Sequence, residues 1–252
     1  EKIRNSFRTV LAFNASLIER RQLYNLNTIN GSWGYEFVWG KKSITLRFPN
    51  IEYSSFNSLP LLDSIFVKNP SLENIFANGF ISSMMGGLQV KGGRNKQINT
   101  FNFNVEVSGL LSGLIKKNDF LDTNLFRFIK VDAEFARKIS FKKSSLVLHG
   151  FVGLGYEFNS TANKDNRYNL PLLRQYFAGG PNSMRAWGLR KLGPGASIKD
   201  FGTTGLPDRY GDVHIEANIE YRFPLVKAFG LPVEGALFTD IGNIWFMKSA
   251  PS

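Results

Sequence analysis

Apolar and polar residues alternate along most of this chain with a period of two, over runs longer than ordinary strands. In the stretch 213–223, Val213, Ile215, Ala217, Ile219, Tyr221 and Phe223 share one face, and His214, Glu216, Asn218, Glu220 and Arg222 share the other. Phe101, Phe103, Val105 and Val107 likewise oppose Asn102, Asn104, Glu106 and Ser108, and Trp33, Tyr35, Phe37 and Trp39 make a third apolar face. The pattern predicts nine strands, at about 8–19, 30–39, 43–54, 79–90, 99–113, 126–139, 146–158, 213–223 and 233–246. Gly153 and Gly155 sit opposite an apolar face, where a curved sheet needs room. The fold class is all-β.

Alternation does not say which face is wet, because a soluble sandwich has the same period with its apolar face inside. Strand length is the first discriminator. Runs of about eleven residues suit a tilted membrane-spanning strand, which needs about 9–11, and exceed the usual mode of about 5–6. The connections are the second. Those at about 20–29, 55–78, 114–125 and 159–212 are long, and those at about 40–42, 91–98, 140–145 and 224–232 are short, which is the asymmetry of an outer-membrane barrel. The reading is an antiparallel transmembrane β-barrel. Bacterial single-chain barrels close with an even number of strands, so nine make part of a larger one.

Composition narrows the function. Lys and Arg number 31 against 20 Asp and Glu, a net charge of +11. The excess sits in pairs at segment ends (Lys41 and Lys42, Lys116 and Lys117, Lys142 and Lys143), unlike the single basic stripe of a nucleic-acid binder. There is no Cys, and the two histidines, His149 and His214, lie far apart, so no metal site is expected. No apolar run is long enough for a spanning helix. Glu1 opens directly into a patterned segment without initiator Met or signal peptide, and the chain reads as a fragment of a longer protein. GxSxG, Walker-type GxxxxGK and HExxH are absent. Asp132 and Glu134 are alternate residues on one polar face with no catalytic geometry implied. The expectation is a non-enzyme without cofactor.

The longest connection, about 163–211, exceeds what an incidental loop requires. Its centre, 177–195, reads FAGGPNSMRAWGLRKLGPG. Gly179, Gly180, Gly193 and Gly195, with Pro181, call for special backbone angles. Tyr176, Phe177, Met184, Trp187, Leu189 and Arg185 are residues that dock rather than solvate. On the residues alone it is either a compact surface loop or a plug in the mouth of a barrel. A second long connection, 59–78, has helical spacing at Ile65, Leu72, Ile75 and Phe76, which predicts short helical turns over a small apolar cluster.

The stretch GGPNSMRAW resembles the sixth-loop motif of the BamA and TamA superfamily of outer-membrane assembly barrels. In that family the loop folds back into the barrel and carries a V-R-G-F/Y tetrad. Here the tetrad reads Met184, Arg185, Ala186, Trp187, with Ala in place of a Gly; Ala resists positive φ. ANIEYRFP, ending at Pro224, and LFTDIGNIW, ending at Trp245, resemble the two strands that follow the loop. The LGPG at 192–195 looks most like the TamA-like branch of Bacteroidetes-type bacteria. The resemblance implies the fifth to thirteenth strands of a sixteen-strand barrel in the bacterial outer membrane. POTRA domains and both terminal groups of strands would lie outside this sequence.

It further implies that Arg185 pairs with carboxylates on the two strands after the loop, at the matching positions Glu220 and Asp240. Both fall on the polar face of their strands. The implied function is insertion or translocation of client outer-membrane proteins through a lateral seam, with lipid, lipopolysaccharide and periplasmic or lipoprotein subunits as partners and no nucleic acid. A passive porin-like channel is the alternative.

Overall fold

The computed structural model describes residues 5–68, 76, 78–109, 124–158, 170–195 and 208–247. Nine strands form one antiparallel sheet in sequence order: β1 (Ser6–Arg20), β2 (Tyr24–Trp39), β3 (Lys42–Ser58), β4 (Gly79–Gly92), β5 (Gln97–Ser108), β6 (Phe128–Ser140), β7 (Ser145–Glu157), β8 (Val213–Ala228) and β9 (Leu231–Trp245). Every neighbour in the order follows its predecessor in sequence, so each pair is a hairpin. β1 and β9 are the two edges and do not pair with each other. The nine strands are part of a barrel, and the sheet is not closed within this chain.

The faces are inside out relative to a soluble protein. On β8, Glu216 is 4% exposed and Ile219 52%. The outward residues of β1 (Phe7, Leu11, Phe13 and Leu17) are all well exposed, while polar side chains opposite them line a groove of about 850 Å³. An apolar outer surface around a polar interior is what lipid outside and water inside select. The described residues contain no helix long and apolar enough to cross a membrane.

Four connections are tight turns at one end of the sheet: 40–41, 93–96, 141–144 and 229–230. The other end carries 59–78, 109–127 and 158–212. The first connection at that end corrects the sequence reading. It is only the turn 21–23, with Arg20 facing Tyr24 and Leu23 N donating to Arg20 O at 2.9 Å. The expected loop at 20–29 is mostly strand. Alternation reverses sense there: Tyr24 and Leu26 face inward and are buried, while Asn27 is exposed.

Beyond the lipid the strands project into water, and their inward side packs an ordinary apolar core. That core comprises Leu23, Tyr24, Leu26, Tyr210, Phe76 and two residues, Leu62 and Ile65, of a short helix, α1 (Pro60–Lys68). Helical turns and an apolar cluster were expected here; Leu72 and Ile75 lie outside the described residues. β5 ends at Ser108, and 110–113 of the expected strand also lie outside them.

Candidate functional site

The long connection turns inward. Tyr176 bridges Gly211 and Ala178 bridges Leu192, each antiparallel, so the loop descends and returns as a ribbon. Gly180 N donates to Trp187 O at 2.8 Å and Trp187 N to Met184 O at 3.0 Å, folding the tip into consecutive turns. Gly179 (φ 106°) is required by contact as well as by angle, since a Cβ there would lie 2.2 Å from Gly188 O. Gly180, Gly193 and Gly195 also have positive φ. Ala186 does not, so Ala in the tetrad imposes no strain at that position.

The ribbon packs against the polar face of the sheet. Tyr176, Ala178, Met184, Leu192 and Ile244 form a buried apolar cluster with Phe151 at its edge. The strand glycines are notches in the wall. A Cβ on Gly153 would lie 2.5 Å from Tyr176 Cε1, and one on Gly155 would lie 2.2 Å from Leu170 Cδ1. The room that a curved sheet was expected to need is taken by loop side chains. Trp187 and Leu189 remain exposed, and Phe177 lies under the Arg190 guanidinium at 4.7 Å.

At the tip, Arg185 reaches β8 and β9 together. Its Nε donates to Asp240 Oδ2 at 2.8 Å and its Nη2 to Asp240 Oδ1 at 2.6 Å, a bidentate fork. Its backbone N–H also donates to Asp240 Oδ2 at 3.1 Å, and Nη1 donates to Glu220. The guanidinium lies 3.7 Å from the centre of the Phe238 ring. Its hydrogen bond to Asp240 is the main cause holding its pKa above the ordinary value, although desolvation opposes it. Asn218 Nδ2 donates to Asp240 Oδ1 at 3.0 Å, and His149 connects Asn218 to Glu134, so the fork ends a polar chain across four strands.

A second fork has no counterpart in the sequence reading. Arg174, on the descending arm, donates from Nε to Glu106 Oε2 at 2.8 Å and from Nη1 to Glu52 Oε1 at 3.2 Å, tying β5 and β3. All three side chains are largely buried. β4 between them joins through Ser83, which donates to Glu106 at 2.8 Å and accepts from Asn50 at 2.8 Å. Tyr176 donates to Asp132 of β6; burial, then this bond, pushes its phenol pKa up. On the returning arm, buried Asp208 accepts from Arg20 Nη2 of β1 at 2.6 Å and lies 3.6 Å from Arg190 Nη1.

One loop therefore touches all nine strands, β2 through the Tyr210–Tyr24 hydroxyl pair and β4 through the cluster that holds Leu170 with Ile81. In a flat sheet β1 and β9 would stand roughly 38 Å apart. Residues only two apart instead span β2, next to β1, and β9: Tyr210 OH lies 3.5 Å from Tyr24 OH, and Asp212 N donates to Trp245 O at 2.8 Å. The sheet is curled around the loop. The arrangement binds loop to wall by charge; among the described residues no group of three His, Cys, Asp or Glu is placed to hold a metal.

The family model described as the Omp85 superfamily domain matches residues 95–251. No curated protein matches the chain. Among solved structures, CdiB from Escherichia coli is similar at 15% identity and a TM-score of 0.49, over 97% of this chain. The chain spans 40% of the length of that structure.

Proposed function

The chain belongs to the Omp85 superfamily, and from that premise we propose that this outer-membrane chain is a wall of a barrel that inserts or translocates other proteins. The observation that carries the proposal is the Arg185 fork onto Asp240 and Glu220, made from an inward loop. A passive pore has no need to hold a connection inside its lumen by two carboxylates. A guanidinium withdrawn from bulk water is stable there only because both acids are supplied. In this reading Met184 anchors the tip, Arg185 braces it, and Ala186 and Trp187 face the remaining lumen. Gly179, Gly180, Gly193 and Gly195 shape the turns.

The finer assignment is to the BamA/TamA type, nearest the TamA-like branch. The nine strands are then the fifth to thirteenth of sixteen, with POTRA domains in the whole protein. Clients would join by strand addition at the seam between the terminal strands, where unpaired backbone groups template a new edge. Lipid, lipopolysaccharide, client outer-membrane proteins and periplasmic or lipoprotein subunits are the partners that follow.

The test is depletion of the full-length protein in its host, followed by the yield of folded, protease-resistant outer-membrane proteins. The expected result is a fall in that yield, restored by the wild-type gene and only partly by an Arg185→Ala version. Unchanged assembly, with open ion conductance through the purified barrel, would replace this reading with a passive channel.

A further inference from the structure

The tight-turn end of the sheet carries charge that no internal partner uses. Lys41 and Lys42 stand at the first turn, Arg94 and Lys96 at the second, and Lys142 and Lys143 at the third, all exposed. Lys227 adds a cation near the fourth. Among the described residues none of these forms an ion pair; Lys41 Nζ donates only to Gly93 O of the neighbouring turn, at 3.4 Å. Acids are few at this level. Glu36 is taken by Arg8 at 2.7 Å, and Glu234 is exposed. At the opposite end and in the lumen, by contrast, Arg20, Arg174, Arg185 and Arg190 each meet a carboxylate.

A second feature lies at the same level. Trp39, Phe141 and Phe229 are exposed at the first, third and fourth turns. Aromatic rings beside cations, where an apolar outer face ends, mark a membrane–water boundary. The cations are spread along the rim from β2 to β9. A folded partner would meet one sector of such a rim, whereas a headgroup layer meets every turn at once.

We infer that this rim is an interaction surface for anionic phospholipid headgroups of the leaflet facing the periplasm. The inference rests on the orientation in which short turns are periplasmic, and it is independent of what the barrel assembles. Each Lys or Arg near an anionic surface is worth roughly a fivefold gain in association. The rim therefore selects phosphatidylglycerol-like lipids over zwitterionic ones and fixes the depth at which the wall sits.

The experiment measures lipid retained by the full-length protein, purified from bilayers of mixed phosphatidylglycerol and phosphatidylethanolamine, by native mass spectrometry. Wild type is expected to retain the anionic lipid preferentially, and the preference should shrink severalfold as salt rises, because exposed charges are screened. Replacing Arg94, Lys96, Lys142 and Lys143 together by Gln should reduce the preference by about tenfold or more. Arg21→Gln, at the opposite end, should leave it unchanged. Equal retention of the two lipids by wild type, or a preference insensitive to salt, would overturn the inference without recourse to any variant. The orientation has its own control. This chain has no Cys; in full-length protein with any Cys outside it replaced by Ser, Lys142→Cys should escape a membrane-impermeant thiol reagent in intact cells and react after permeabilisation, and labelling in intact cells would refute the periplasmic placement.

Discussion

Arg185 illustrates how much a single side chain can hold when each of its three guanidinium nitrogens finds a partner. Three of its nitrogens and its backbone N–H meet Asp240 or Glu220, and its plane stacks on Phe238. Lys could supply the charge but not the fork or the stacking. Arg185→Ala leaves Asp240 facing a polar interior without its main partner. Such losses cost about 3–5 kcal/mol in dry interiors, and partial hydration places this one toward the lower end. The expected outcome is faster proteolysis within the loop, with Arg185→Lys intermediate. Asp240→Ala should reproduce much of the effect, and the double variant should fall well short of the sum, as for residues sharing one interaction. Additive losses would mean that the two act separately.

At the scale of elements, the loop is a ribbon fastened at separate points, and the two forks share no carboxylate. Arg174→Ala should therefore expose the descending arm around 170–176 to protease while leaving the tip protected, and its effect should add to that of Arg185→Ala. Strands make a sharper prediction. Phe103 faces outward and Asn104 lines the hydrated groove. Phe103→Arg places a charge against lipid at about 2–4 kcal/mol and should lower the folded yield in bilayers, while Asn104→Arg should be tolerated.

The strands were legible because each lies half in lipid and half in water, which writes their period directly into the sequence. Legibility failed where that environment ends. At Tyr24 and Leu26 the inward side turns apolar under α1, so the alternation reverses and the sequence pattern reads as a loop. Arg185, Glu220 and Asp240 could be singled out because a motif and strand parity pointed at them. Arg174 could not, since its acids lie 122 and 68 residues away and nothing local marks it.

For the molecule as a whole, the inward loop and the curled sheet fit one another. Within the nine strands, β1 and β9 do not pair with each other, yet one loop reaches both. The apolar cluster around Tyr176 and Ile244, the two forks and the Arg20–Asp208 pair fasten the curved wall to the loop from inside. The notches at Gly153 and Gly155 let the ribbon sit flush with β7. The same loop thus fills part of the lumen and ties its wall together.

The fastenings also differ in how far the chain must search to make them. Arg185 meets Glu220 across 35 residues, Arg174 meets Glu52 across 122, and Arg20 meets Asp208 across 188. Each doubling of a closed segment adds about 0.6 kcal/mol of entropic cost, so the longest closure is disfavoured against the shortest by roughly 1.5 kcal/mol. Contacts with short closures form sooner. The ribbon should therefore seat first against β8 and β9, next against β3 and β5, and last against β1. Pulse-labelling hydrogen exchange during refolding into bilayers should show the amides of 176–187 protected before those of 20–26, and the reverse order would show that curvature precedes the loop.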